Sequence, residues 1–472
     1  MVKVTKADPL FLSEVNMPVL ELAKEDYEAR IRRLAERIKA RNLTHMVIYG
    51  DREHFSNVEY FTHYDCRFEE TLLVVDAQGS CSILLGNEGM GYSSVIPVEI
   101  RRYLYQNFSL QGQPRDRLRG LTEILRETGI DENSRIGVAG IKYFEKGTID
   151  SDPEQTYDLP EYIMDGIRKT KGAMVNATAE LTGVPDGIRM RLYTAKEIAW
   201  AESAGNRAAA VVQRLLKNLK EGIREEEMAC LGGAGFDPQN THPLVNFGAR
   251  SVAVGMGSPG LSKLKAGEVG GLCYSVRGNL TSRAGVMAYD ETGYQEALKP
   301  YLECFYKKYY EAVAAWYRTA RVGATGGELY DAVMDLIGEE SFGVTLNPGH
   351  FTGTEEWSNA ITAKGSAIPV PDGAFMQVDI IAHGDDPVRT GICEDAVVIA
   401  GKELQEELQK AYPEVYERIQ KRRKVMQEVL GLTLHEDVLP MSNLNGAYYP
   451  FMLNTDLVFT IRDDKTCSCS GR

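Results

Sequence analysis

Residues 345–400 constrain this chain more than any other stretch. They read TLNPGHFTG, then a polar, turn-rich passage, then AFMQVDIIAHG and finally GICEDAVVIAG. The last two runs are apolar and rich in β-favouring residues, yet each is interrupted by an acid, Asp379 and Glu394. Burying a carboxylate alone costs several kcal/mol, so such strands must aim the acid at a cavity, a partner charge or a metal. His350 sits just before them in a Gly-flanked turn. One imidazole and two carboxylates delivered by successive segments are the material of an acid–base or hard-metal site. The competing reading is two strands with edge-facing acids and a turn histidine bonded to backbone.

Composition narrows the class. At 472 residues the chain is too long for one ordinary core, which predicts two domains, or three. Its 43% hydrophobic and 25% charged residues are ordinary for a soluble globular protein. With 53 Lys and Arg against 67 Asp and Glu, the formal net charge of −14 argues against a binder of nucleic-acid phosphates. The eight cysteines are scattered, and only Cys467 and Cys469 are close. That is neither a disulfide framework nor a zinc-ribbon spacing, so a reducing compartment is expected. The opening MVKVTKADPLFLSEV lacks the basic-then-apolar order of a secretory leader, and no run approaches the roughly 20 apolar residues of a membrane helix. The expectation is a cytoplasmic protein with neither nucleic-acid nor membrane partners.

Along the chain, Pro9 and Pro18 predict an extended opening arm. An amphipathic helix over 20–41 follows. Strands over 44–49, 70–76, 80–85, 135–139 and 174–177, with a short helix or turn at 54–60 and helices over 116–128 and 160–169, describe an α/β domain. None of its turns carries a Gly-rich phosphate loop. A turn-rich linker lies around 181–192. Thr194 and Glu197 form a capping-box pattern that opens a long helix ending near Gly222. A shorter helix over 225–231, strands over 245–257 and 269–277, and helices over 294–320 and 326–338 come next. After the acid-bearing strands a final helix is expected over 402–430. Residues 431–472 lack clear periodicity until 457–461, and the Cys-Ser-Cys-Ser end reads as loose.

The order and spacing of these elements over residues 190–430 resemble the pita-bread family, which includes Xaa-Pro aminopeptidases, prolidases and creatinase. The resemblance is carried by IRMRLYTAKEIAWAESAGNRA, two strands, a helical pair before Gly349-His350, and the two acid-bearing strands. The passage YGDREHFSNVEYFTHYDCRFEETLLVV looks like the N-terminal domain of creatinase and the proline peptidases. The resemblance implies an α/β (α+β) chain. A creatinase-like N-terminal α/β domain would span 1–185, and a pita-bread domain with pseudo-two-fold repeated halves would span 190–472, usually as a homodimer. In the family's peptidases two aspartates, a histidine and two glutamates hold two divalent metals that activate a bridging water near neutral pH.

Carried over residue by residue, His350 falls on the family's metal histidine and Glu394 on its last glutamate. Asp379 stands where the family has glutamate. Cys273 takes the place of the first aspartate, and Ser282 or Asn279 that of the second. Gly255 replaces one catalytic histidine of the family, and Trp357 falls at or near the other. Losing two carboxylates removes about two units of compensating charge from a dinuclear site. His350, Asp379 and Glu394 would therefore hold at most one ion, and the cofactor expected is none or a single divalent metal. The segment LCYSVRGNLTS resembles creatinase's neutral version. Creatinase depends on the histidine that Gly255 replaces, so creatine hydrolysis is not implied.

His350, Asp379 and Glu394 are thus the candidate catalytic residues, since two close carboxylates raise one pKa into the range of acid–base work. Cys273, Trp357 and Arg250 are candidate substrate contacts. Cys273 would become a nucleophile if His350 lowered its pKa, whereas Arg250 or Arg389 could instead pair with the acids structurally. Asp65, Arg67 and Phe68 occupy the region that in creatinase reaches into the partner subunit's site, which makes them candidates for substrate contact across a dimer. A surface turn is their competing reading. Three functions compete. The first is a divergent hydrolase of a C–N bond in a small amino-acid-like or guanidino-like substrate. The others are an Xaa-Pro aminopeptidase or dipeptidase with atypical ligands, and an inactive binding protein of the same fold.

Overall fold

The computed structural model describes residues 1–233, 238–249 and 255–462. The chain divides into two compact units, Glu21–Met190 and Met1–Leu20 with Arg191–Arg472. The boundary near Met190 lies in the turn-rich linker, but the opening arm groups with the second half and not with residues 21–185. Val2–Lys6 is a strand antiparallel to Leu457–Ile461. Gln213 and Ser203 donate to the carbonyls of Phe11 and Pro18 at 2.7 and 2.8 Å. This pairing joins opposite ends of the chain, and no local pattern announces it.

The N-terminal unit is a six-stranded mixed sheet in the order Arg101–Leu104, Cys81–Leu85, Thr71–Asp76, His45–Gly50, Arg135–Ala139, Ala173–Asn176. Alternation sorts its strands onto two cores. Met46, Ile48, Leu73 and Val75 meet Ile31, Leu34 and Ile38 of the Lys24–Ala40 helix. Val47, Tyr49, Leu72 and Val74 meet Ile124, Ile163 and Ile167 of two later helices. The Arg101–Leu104 strand was not expected, because its RRYL sequence shows no apolar alternation.

The C-terminal unit runs through one order twice: a long helix, a shorter helix, then antiparallel strands. Ala195–Asn218, Glu225–Leu231 and the strands Leu244–Phe247, Val269–Val276 and Asn279–Val286 form the first half. Leu302–Lys307 with Lys308–Thr319, then Gly326–Ile337 and the strands between His350 and Ile399, form the second. Thr194 caps the first long helix, accepting from Glu197 N at 3.2 Å, while the Glu197 carboxylate accepts from Tyr193 N at 2.7 Å. Thr325 and Glu328 cap Gly326–Ile337 in the same reciprocal manner.

Three expected elements differ, and one element was not expected. The helix over 294–320 begins only at Leu302, because Pro300 disfavours helix at the residue before it. The helix over 402–430 is two, Lys402–Ala411 and Pro413–Glu428, since Pro413 pushes Tyr412 out of helical geometry. The strand over 245–257 stops at Phe247, where Gly248 turns out with φ +79°. A short strand, Val438–Pro440, was missed. The loose end expected after residue 462 lies outside the described residues.

Two sheets meet in this unit. One is five-stranded, in the order Ile381–Asp385, Val388–Glu394, Asn279–Val286, Val269–Val276, Leu244–Phe247. The other is four-stranded, in the order His350–Phe351, Ala374–Gln377, Ala396–Ile399, Val438–Pro440. A single long hairpin serves both. Its outer arms pair from Ile381↔Ile392 to Asp385↔Val388, and its inner arms from Ala374↔Ile399 to Gln377↔Ala396.

Candidate functional site

The two strand acids lie where this hairpin passes from one sheet to the other. Asp379 falls between the two ladders. Glu394 ends the outer return arm, on a rung that runs Leu244, Cys273, Ser282, Glu394 across four strands. The pleat turns alternate residues to opposite faces. On the face away from that rung, Arg283 forks onto Asp395 at 2.8 and 3.0 Å. It also donates to the carbonyls of Ser282, Glu394, Leu444 and Ala447. A fully buried charge pair thus braces the strands that carry Ser282 and Glu394. Parity also decides between Ser282 and Asn279. Ser282 bonds the Cys273 thiol, whereas Asn279 faces the long helix, its amide so near Gly205 that a Cβ there would sit 2.9 Å away.

His350 arrives from a third direction. Gly349 precedes it at φ +94°, and a Cβ there would lie 2.9 Å from the Trp316 indole and 3.0 Å from the Gln377 carbonyl, so only glycine fits. Gly349 N donates to the Asp379 carbonyl at 2.8 Å, which ties the turn to the acid. The His350 ring is fully buried. Its Nδ1 donates to the Phe351 carbonyl at 3.1 Å, which turns Nε2 toward the acids. Asp379 Oδ2 lies 3.7 Å from Nε2. One ligand atom each from His350, Asp379 and Glu394 fall within 4.8 Å of one another.

Sequence reasoning missed Glu356. The loop after His350 doubles back, with Phe351 N on Asn359 O at 2.7 Å and Ser358 N on Phe351 O at 3.0 Å. This return sets Glu356 Oε1 3.0 Å from His350 Nε2 and stacks Trp357 on the imidazole, with centroids 4.0 Å apart and planes at 18°. Glu356 Oε1 is thus an ion-pair contact of Nε2, which has no other polar partner so near among the described residues. Asp379 Oδ1 is buried and unpartnered.

A cavity of about 730 Å³ lies against this cluster, with the His350 ring behind its lining residues. Glu356, Asp379, Glu394, Cys273 and Trp357 face it, with Leu244, Leu280, Ile381 and Ile392 as apolar walls. His383, on the Ile381–Asp385 strand, also lines it and was not anticipated. Arg389 does not pair with the acids. Its guanidinium donates to the carbonyls of Asp386, Pro387 and Ser341 and lies 4.4 Å over the Tyr301 ring. Arg250 lies outside the described residues.

Electrostatics follow from burial. Burial, helped by Glu356 and opposed by His350, pushes the Asp379 carboxyl from 3.8 up to about 6. Burial, then Asp379 and Glu356, push Glu394 well above the usual carboxylate range. Burial alone would lower His350, but the Glu356 contact and Asp379 outweigh it and raise its pKa. Burial raises the Cys273 thiol far above its usual value, with Glu394 adding to it. The condition for a nucleophilic Cys273 is therefore not met, because the group stays a thiol.

Asp65, Arg67 and Phe68 belong to the N-terminal unit, while every residue lining the cavity belongs to the other. Asp65 is buried, accepting from Tyr92 OH at 2.5 Å and pairing with Arg67 at 3.2 Å. Phe68 is exposed at 63%.

No family model matches this sequence, and no curated protein matches it. Solved structures do. The chain is similar to the dipeptidase PepE of Mycobacterium ulcerans at 18% identity, over 80% of this chain and 95% of that one, with a TM-score of 0.59. The X-Pro aminopeptidase of Thermotoga maritima matches at 15% identity over 78% and 94%, TM-score 0.58. The prolidase of Thermococcus sibiricus matches at 15% over 80% and 95%, TM-score 0.61. The chain has the pita-bread fold of these structures. Among the described residues no helix is long and apolar enough to cross a membrane.

Proposed function

We propose that this chain hydrolyses a C–N bond in a small amino-acid-like or guanidino-like substrate, at the cavity, with His350, Asp379 and Glu394 and with one divalent ion at most. The observation that carries this reading is the convergence of an imidazole and two buried carboxylates within 4.8 Å, facing a Cys273–Ser282 wall without charge. That donor set fits a single divalent cation. Asp379 Oδ1, which is unpartnered, and His350 Nε2 are the atoms that would hold it, together with Glu394. The Nδ1 bond to Phe351 fixes the ring for coordination through Nε2. A divalent ion bound there supplies Lewis acidity and a water acidified toward neutrality.

The remaining work falls to the chain. Glu356 keeps a proton on the imidazole until a ligand displaces it. Trp357 fixes the ring plane, and the apolar walls exclude bulk water. Without an ion, a protonated Asp379 or Glu394 would be the group that gives a leaving nitrogen its proton. The protein in this reading is a cytoplasmic homodimer acting on small molecules or short peptides.

Metal analysis and a substrate panel test it. Purified protein is assayed for manganese, cobalt and zinc, and against amidines, guanidino acids, N-methyl amino acids and Xaa-Pro dipeptides. The expected result is no more than one equivalent of metal and turnover of a panel member, lost in folded His350→Ala and Glu394→Gln. Two equivalents with Xaa-Pro cleavage would replace this reading by a proline peptidase with atypical ligands, which the likeness to prolidases favours. Turnover unchanged in both variants would move the chemistry elsewhere. Neither metal nor turnover would leave a binding protein.

A further inference from the structure

We infer that Tyr309 is a positioning residue: its hydroxyl clamps the point at which the hairpin changes sheets and so sets the separation of Asp379 and Glu394. The inference rests on the reading of those two acids as a functional pair. The outer ladder ends at Ile381↔Ile392 and the inner one resumes at Gln377↔Ala396, with Val378 N on Asp395 O at 2.9 Å. Between them the two arms need another partner. Tyr309 OH supplies it, donating to the Ile380 carbonyl at 2.9 Å and accepting from Cys393 N at 2.7 Å. Ile380 follows Asp379 and Cys393 precedes Glu394, so one oxygen bridges the residues next to both acids.

The clamp is built into the packing. Tyr309 is fully buried on the Lys308–Thr319 helix. Its ring lies flat on Gly391, where a Cβ would stand 3.2 Å from two ring carbons, and against Tyr448 at 5.5 Å. The neighbouring Tyr310 hydroxyl donates to Gly446 O instead. Tyr309 touches neither the cavity nor a reacting atom. It acts through the backbone, as groups that orient ligands do.

The test uses the full chain with Tyr309→Phe. Tyr294→Phe is the control, because that buried hydroxyl donates to Pro450 O at 2.7 Å, away from the crossover. Two quantities are read: Co²⁺ binding by visible d–d absorption, and hydrogen exchange at the Cys393 amide. Tyr309→Phe should weaken Co²⁺ binding about 10- to 100-fold, the usual range for ligand-orienting groups. It should also change the absorption spectrum and speed exchange at Cys393, while the control moves none of these. Co²⁺ affinity and spectrum equal to the parent, or a Cys393 amide as protected as before, would overturn the inference. If the parent protein binds no Co²⁺, the metal part of the proposed function fails, and the clamp stands or falls on Cys393 exchange alone. If Tyr309→Phe does not fold, Gly391→Ala decides. Its methyl presses on the Tyr309 ring and should weaken Co²⁺ binding in the same direction, and unchanged binding would overturn the clamp.

Discussion

Replacing Cys273 with aspartate puts a carboxylate on the wall that lacks one. The side chain is 5% exposed, on the rung with Ser282 and Glu394. The cost can be read from a neighbour. Asp379 is raised from 3.8 to about 6, which at ~1.4 kcal/mol per pKa unit is a loss of about 3 kcal/mol at neutral pH. A further acid beside Glu394 is pushed at least as far. The loss has a ceiling of about 4 kcal/mol at pH 7, because a group whose pKa passes 7 stays protonated. Cys273→Asp should therefore lose about 3–4 kcal/mol at pH 7 without metal. The sign is that of a raised acid. The folded state holds the proton more tightly, so stability is intact below the unfolded pKa and falls as pH rises through the folded one. Cys273→Asn, similar in shape but uncharged, should show a deficit that does not vary with pH. Mn²⁺ should favour the aspartate variant over the parent, each added site contributing about 2.7 kcal/mol at a hundredfold excess over its Kd. Urea unfolding followed by tryptophan fluorescence reads the correct unit, since Trp200, Trp316 and Trp357 all lie within Arg191–Arg472. A variant as stable as the parent at pH 7, or one whose deficit ignores both pH and Mn²⁺, would refute the reasoning.

Two further perturbations probe the supports. Glu202 is fully buried and accepts from Arg418 at 3.0 Å and Arg422 at 2.7 Å, and Arg422 is itself buried. Glu202→Gln strands that guanidinium without a counter-charge and should cost about 3 kcal/mol, the low end for breaking a buried pair, because Asn206 and Asn443 still accept from Arg422. Burial opposes ionisation of Glu202, but the two arginines prevail and lower its pKa. Its contribution is therefore present above the unfolded pKa of 4.5 and lost as pH falls through the folded value. The gap between parent and variant in urea midpoints should narrow on acidification, and a constant gap would contradict this. Glu356→Gln should lower the His350 pKa in the metal-free protein, since Glu356 is the main group opposing burial there. A histidine NMR titration that does not move would show that the contact is not electrostatic.

What could be read from the sequence follows from how local each cause is. Asp379 and Glu394 were legible because a charge in an apolar run has no inexpensive burial. His350 was legible through its Gly turn. Glu356 was not, because an acid in the polar run TGTEEW is ordinary, and only the return of the loop onto Phe351 sets it against the imidazole. Ser282 and Asn279 could not be separated without the register, which gives the two residues opposite faces. The opening strand pairs with residues more than four hundred positions away, at 457–461, and such pairing leaves no periodic trace. The break at Tyr412 was readable from Pro413, but the helical charge pattern over 402–430 masked it.

The two acids occupy a junction, and the junction separates what holds the fold from what faces the cavity. Where the hairpin leaves one sheet for the other, backbone pairing lapses around Asp379 and side chains open onto a cavity. That geometry is held by groups that perform no chemistry: the Arg283–Asp395 pair on the opposite face, the Gly349 turn tied to the Asp379 carbonyl, and the Tyr309 hydroxyl between the arms. Exchanging a carboxylate for Cys273 or Ser282 on the cavity face disturbs none of them. The likeness to peptidase structures at 15–18% identity therefore reports on the scaffold. Any activity would be set by the few residues facing the cavity, and the likeness does not reach those.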